Sequence, residues 1–164
     1  MKATKLAEPG VAKDKVTIVY DMMHHSTGLM ARTLAEGIKA EGVAVKVCPL
    51  KDGRFERTHQ NNDNNDIFDS KAMLVGSPTR KGVADFLRYL QGIQSGGLDA
   101  KKIGFAFGSH DRHGSRIKII NEELTKAGVE VINDGYAVLW KPDAVELTKC
   151  YELGQEVARR VKAM

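Results

Sequence analysis

The chain has 164 residues, of which 42% are hydrophobic and 28% charged, which suits one globular domain with a single substantial core. No apolar run reaches the length of a membrane helix, about 20 residues. Met1 to Lys15 lacks the apolar stretch of a secretory signal, so a cytoplasmic location without membrane contact is expected. The formal charge is +4, yet lysines and arginines are dispersed and aromatics make up only 6%, a poor match to a nucleic-acid footprint. The basic surface is either simply solvated or suited to an acidic protein partner, because complementary charge mainly accelerates encounter.

Residues 1–14 are polar, contain Pro9-Gly10 and show no period, so they are expected to form a tail or linker ahead of one domain at 15–164. Val16-Thr17-Ile18-Val19-Tyr20 is apolar and β-branched, the pattern of a strand buried on both faces. A helix is expected from Ser26 or Thr27 to Glu41, with Met30, Leu34 and Ile38 on one stripe and Gly42 as its stop. Val43 to Cys48 reads as a second strand. Asp52 to Asp66, rich in asparagine and aspartate, reads as a surface loop.

Ala72 to Gly76 is the third expected strand. The following helix carries Val83, Phe86, Leu87, Leu90 and Ile93 on one face and ends at Gly96-Gly97. Ile103 to Phe107 is the fourth strand; Ile117, Ile120 and Leu124 mark the next helix, closed by Gly128. Val129 to Ile132 and Tyr136 to Trp140 form a fifth strand element with a break expected at Asn133-Asp134-Gly135. Tyr136 and Trp140 are assigned to the core. A last helix carries Leu147, Tyr151, Gly154, Val157, Ala158 and Val161. Cys48 and Cys150 have no close-spaced partner, so two reduced, core or half-buried thiols are expected rather than a redox pair or a metal site.

Alternating strands and helices imply βαβ units, a parallel sheet and helices on both faces. Such sheets take ligands beyond the carboxyl ends of their strands. The turns expected there are Asp21 to Gly28, Ser77 to Gly82 and Gly108 to Ser115. All three are rich in hydroxyls, glycines or imidazoles. The first leads into a helix N-terminus, where unpaired amides and the positive dipole end favour an anion. Neither a Walker-type Gly-Lys-Ser/Thr nor a Gly-x-Gly-x-x-Gly is present, which argues against a nucleoside triphosphate or a Rossmann-type dinucleotide. Ser26-Thr27 as a plain N-cap and Ser77-Pro78-Thr79 as a plain turn are the competing explanations. Arg80, Lys81, Arg112 and Arg116 either draw an anionic cofactor or acidic partner, or form a solvated rim.

Val16-Thr17-Ile18-Val19-Tyr20-Asp21, His24-His25-Ser26-Thr27, Met30-Ala31 and Ala35-Glu36-Gly37 resemble the opening of the flavodoxin domain of flavodiiron proteins. The likeness continues through Ala72 to Thr79 and Phe105 to Ser109, and so covers nearly all of Val16 to Ala163. It implies a flavodoxin-like α/β three-layer sandwich with a five-stranded parallel sheet of order 2-1-3-4-5, and FMN as cofactor. By resemblance Met22, Met23, His24, His25, Ser26 and Thr27 form the phosphate loop. Ser77, Pro78, Thr79 and Arg80, with Gly108, Ser109, His110, His113 and Gly114, border the ring. No residue is expected to be catalytic or to bind metal, and the His-x-Glu-x-Asp metal motif of the flavodiiron partner domain is not found.

The chain departs from the family at three places. Met22 stands where Ser or Thr is usual, the loop after Thr79 is several residues short, and His110-Asp111-Arg112-His113 replaces the Tyr or Trp common near the ring. The implied function is FMN-dependent electron transfer, by a carrier rather than an enzyme, to a redox partner such as a ferredoxin, a rubredoxin or a reductase. The alternatives are a docking or regulatory module that has lost flavin, and a small flavin-dependent oxidoreductase acting on quinones.

Overall fold

The computed structural model describes residues 13–51, 70–95, 101–110 and 115–164. Chain order is β1 (Lys13–Asp21), α1 (His25–Ala40), β2 (Ala44–Leu50), β3 (Ser70–Gly76), a 3-10 turn (Arg80–Val83) and α2 (Ala84–Ser95). Then come β4 (Lys102–His110), α3 (Ser115–Lys126), β5 (Val129–Val131), β6 (Tyr136–Leu139) and α4 (Ala144–Lys162). The strands pair in the order β2-β1-β3-β4-β5, with β6 also on β4, and every pairing is parallel. The expected α/β architecture and strand order are therefore present. Residues 1–12, the loop expected at Asp52 to Asp66, and Gly96-Gly97 lie outside the described residues; Lys13 and Asp14 already belong to β1.

The strands owe their burial to period-two alternation between two apolar faces. Val16 and Ile18 of β1, Ala72 and Leu74 of β3, and Ile103, Phe105 and Phe107 of β4 share one core with Met30, Leu34 and Ile38 of α1 and Val157 of α4. Val19, Met73, Val75 and Ala106 share the other with Phe86, Leu87 and Leu90 of α2 and Ile117, Ile120 and Leu124 of α3. Cys48 and Cys150 are both buried, and neither forms a disulfide.

Helices α1 and α4 cross in very close contact. A Cβ at Gly37 would collide with the Tyr151 carbonyl oxygen, and one at Gly154 with that of Leu34. Glu41, at the α1 C-terminus, gathers Gln155, Arg159 and Lys162 of α4. The two helix N-termini thus lie on the same edge as the strand ends.

The fifth strand is interrupted where the sequence places the break. β5 pairs with the start of β4, Lys102 opposite Val129, and β6 with its end, Phe107 opposite Tyr136. Between them the Asn133 side chain accepts from the Gly135 amide at 2.7 Å, and Gly135 takes φ 94°, a conformation open to glycine without a Cβ penalty. Asn121 of α3 buttresses the gap, donating to the Asn133 carbonyl at 2.7 Å and accepting from the Ala106 amide at 2.8 Å.

The core assignment of Trp140 is corrected. Tyr136 packs against the α1–α4 core, but Trp140 is 62% exposed with φ 59°. β6 ends at Leu139, at the margin of the sheet, so Trp140 lies beyond the paired strand; the left-handed turn costs a bulky residue on the order of 1–2 kcal/mol.

Candidate functional site

The three polar turns meet on the carboxyl edge because β1, β3 and β4 are neighbours and run the same way. β1 delivers Asp21, followed by Met22 and Met23, which are 48% and 63% exposed. The Met22 amide donates to the Leu50 carbonyl at 3.1 Å, extending the β1–β2 pairing by one bond. Asp21 is buried. Its carboxylate accepts from the Met23 amide at 3.0 Å and lies 3.5 Å from His24 Nε2.

α1 begins at His25, earlier than the hydroxyl residues suggest. His24 is the N-cap in an extended conformation, makes no side-chain cap, and the first turn contains no acidic residue. Ser26 and Thr27 therefore stand inside the first turn, and the plain N-cap explanation does not hold. His24 and His25 are exposed, Ser26 half-buried and Thr27 fully buried. The Thr27 hydroxyl accepts from the Ser109 amide at 3.4 Å, which ties the first turn to the end of β4. A helix pole with no side chain of its own capping it, ringed by hydroxyl and imidazole donors, has the chemistry of a phosphate cradle.

The second turn is compact. Ser77 donates its amide to the Phe107 carbonyl at 3.0 Å, and its hydroxyl accepts from the Thr79 amide at 3.2 Å. The Thr79 hydroxyl accepts from the Gly82 amide at 3.3 Å, opening the 3-10 turn. Pro78 is half-buried. A Cβ at Gly82 would collide with the Asp21 carboxylate and the Ser77 hydroxyl, so the short connection lies against the base of the first turn. The turn explanation of Ser77-Pro78-Thr79 is therefore met, and the hydroxyl oxygens of Ser77 and Thr79 both serve it.

Arg80 turns away from the strand ends. Its guanidinium pairs with Glu123 of α3 at 3.2 Å. Burial works to raise the Glu123 carboxyl, but hydrogen bonds from Arg80, Gln91 and Lys126 outweigh it and hold the group below the ordinary carboxylate value. Arg80 thus fastens the second turn to α3 as well as standing beside the site.

In the third turn Gly108 is buried and Ser109 half-buried. A Cβ at Gly108 would come within 2.6 Å of the Ser77 carbonyl oxygen, so the close approach of the second and third turns requires glycine there. His110 closes β4 opposite Leu139; Arg112, His113 and Gly114 lie outside the described residues, and Arg116 is exposed on α3. Of the anticipated set, the structure brings together Met22 to Thr27, Ser77 to Thr79, Gly108 and Ser109. Asp21 is placed in the first turn by the sequence but not among the candidate site residues, although a carboxylate at the end of an apolar strand is a legible signal; the exposure of Trp140 is not legible.

No group of three or more histidine, cysteine, aspartate or glutamate side chains suited to a metal ion occurs among the described residues. No helix among them is long and apolar enough to cross a membrane.

Comparison with known proteins places this geometry. The chain is 40% identical over 159 residues to a coenzyme F420H(2) oxidase of Methanocaldococcus jannaschii, covering 93% of this chain and 36% of that protein. It superposes on the rubredoxin oxygen:oxidoreductase of Desulfovibrio gigas with a TM-score of 0.78 and 33% identity, over 94% of this chain and 37% of the other. A flavodoxin from the domain Archaea matches with a TM-score of 0.67 and 26% identity, over 90% of this chain and 99% of its own. The chain spans about a third of the length of the curated relatives it matches, and the part matched in the flavodiiron proteins is their flavodoxin domain. With the flavodoxin family model matching residues 18–154, the chain belongs to the flavodoxin family, a family of FMN-binding electron-transfer modules.

Proposed function

We propose that this chain holds FMN by its phosphate at the N-terminus of α1 and acts as an electron carrier. The observation that carries this reading is the α1 pole itself. His24 makes no side-chain cap and the first turn has no acidic residue, so no carboxylate of the helix itself competes for the amides of His25, Ser26 and Thr27; the buried Asp21 carboxylate beside the pole is engaged by the Met23 amide and His24. Ser26 and Thr27 add hydroxyls, and His24 and His25 add imidazole N–H donors. The Thr27–Ser109 hydrogen bond holds the cradle in register with the end of β4.

At the ring end, the backbone of Ser77, Pro78 and Thr79 and that of Gly108 and Ser109 form the two sides; His110, His113 and Gly114 are proposed as further cofactor contacts on the strength of the resemblance alone. Arg80 serves the site through its ion pair with Glu123, which holds the second turn against α3. Bound FMN supplies the transfer of electrons singly or in pairs, and the protein contributes binding, orientation and electrostatics. No side chain of this set is assigned an acid–base step. The partner proposed is a redox protein of the ferredoxin, rubredoxin or reductase class, acidic enough to be steered by a net charge of +4, and the compartment proposed is the cytoplasm.

The compact second turn favours one other reading, a docking module without flavin, because Gly82 lies against Asp21 and Ser77 where a longer loop would leave room. A visible absorption spectrum, taken before and after incubation with FMN and desalting, separates the two. Retained flavin bands with quenched flavin fluorescence support the carrier. A colourless protein that releases all added FMN overturns it in favour of the docking module.

A further inference from the structure

We infer that Trp140 is a ring-contacting residue of the flavin site, supplying the aromatic surface that the adjoining turns do not. The inference rests on the FMN reading and deepens it. β6 runs beside the end of β4, with Val138 opposite Ser109 and Leu139 opposite His110. Trp140 follows at the level of the third turn, one strand spacing of about 4.8 Å from β4. From β1, which feeds the phosphate cradle, to β6 is three such spacings, roughly 14 Å, a distance within the span of an extended flavin mononucleotide.

Trp140 is the exposed aromatic residue of the chain among the described residues, at 62% exposure. Phe86, Phe105 and Phe107 are fully buried, and Tyr20 lies under α1 against Gly28. The second turn, Ser77 to Gly82, contains no aromatic, and the sequence from His110 to His113 offers imidazoles and a guanidinium instead. An isoalloxazine is a broad flat π system that gains from contact with an aromatic face. Leu139, 52% exposed beside Trp140, adds apolar surface.

The backbone points the same way. At φ 59° glycine or asparagine would sit with least strain, yet a tryptophan stands there with its indole in solvent. Outliers of this kind collect where a side chain meets a ligand. A tryptophan retained for packing would be buried, and this one is not.

The test uses the full chain and three variants, Trp140→Gly, Trp140→Phe and the double variant Ser26→Ala/Thr27→Ala, each titrated with FMN by quenching of flavin fluorescence. Thermal unfolding is measured in parallel without ligand. Trp140→Gly relieves the left-handed turn, so its Tm is expected to stay level or rise while its FMN affinity falls about tenfold, equivalent to 1.4 kcal/mol. Trp140→Phe keeps an aromatic face and should stay within about threefold of the wild type. Equal FMN affinity in the wild type and Trp140→Gly overturns the inference, and a loss confined to Ser26→Ala/Thr27→Ala then leaves the phosphate reading standing. A Trp140→Gly loss matched by Trp140→Phe also overturns it, because the aromatic face would not be the cause. A wild-type chain that binds no FMN removes both readings together.

Discussion

The hydroxyl of Thr27, fully buried in the first turn of α1, accepts a hydrogen bond from the amide of Ser109 at 3.4 Å across 82 positions of sequence. This one bond joins the turn that offers a phosphate cradle to the turn that would border the ring. Thr27→Val keeps the shape and removes the acceptor, leaving the Ser109 amide without its partner. The expected loss is about 1–3 kcal/mol of stability, with weaker FMN binding. Urea unfolding and an FMN titration read the two effects, and Thr27→Ser should restore most of both.

Two glycines on helices should respond to alanine with opposite signs. Gly154 faces the Leu34 carbonyl, where a Cβ would collide, so Gly154→Ala should forfeit the close α1–α4 crossing and lower stability by about 1–3 kcal/mol. At Gly92 on α2 nothing stands within 4 Å of the place a Cβ would take, so Gly92→Ala should gain about 0.5–1 kcal/mol from backbone entropy. Thermal melts of the two variants decide the point, and a stabilised Gly154→Ala would contradict the described crossing.

Glu123 should make stability depend on pH. Burial opposes its ionisation, but its bonds from Arg80, Gln91 and Lys126 hold its folded pKa below the ordinary value. A group depressed on folding binds more protons unfolded than folded, so its contribution is present above the unfolded carboxylate range. It is lost as pH falls through the folded pKa. Glu123→Gln should therefore lower stability at neutral pH and flatten its decline into acid, as urea midpoints across a pH series would show.

The thiols should be inert in the folded chain. Burial first, then the nearby Glu146 carboxylate, pushes the Cys150 thiol up to about 12, and Cys48 is buried as well. The thiolate is the reactive form. An aromatic disulfide reagent should titrate neither cysteine in native buffer and both in denaturant. Rapid labelling of Cys150 in native buffer would contradict its burial.

Much of the fold was legible because its sheet is buried on both sides. Val16 to Tyr20, Ala72 to Gly76 and Ile103 to Phe107 are near-continuous apolar runs, and Met30, Leu34 and Ile38 trace the α1 stripe that packs on them. The start of α1 was misplaced by a turn's edge because capping preference points to Ser26 or Thr27, whereas the chain caps with His24 and keeps those hydroxyls inside the helix. Trp140 was misread because Tyr136-Ala137-Val138-Leu139-Trp140 alternates like a strand. Its exposure depends on where β6 ends relative to its neighbours, which no local pattern encodes. The pairing of Arg80 with Glu123 was equally hidden, since 43 positions separate them.

The interruption between β5 and β6 has a consequence beyond the site. A long, straight margin of unpaired amides and carbonyls is a template on which another chain can add a strand. Here β4 is flanked by pieces of only three and four residues, turned out of line at Gly135. An approaching strand finds no continuous ladder to extend on this side, so this edge of the sheet resists edge-to-edge growth and the aggregation that follows from it.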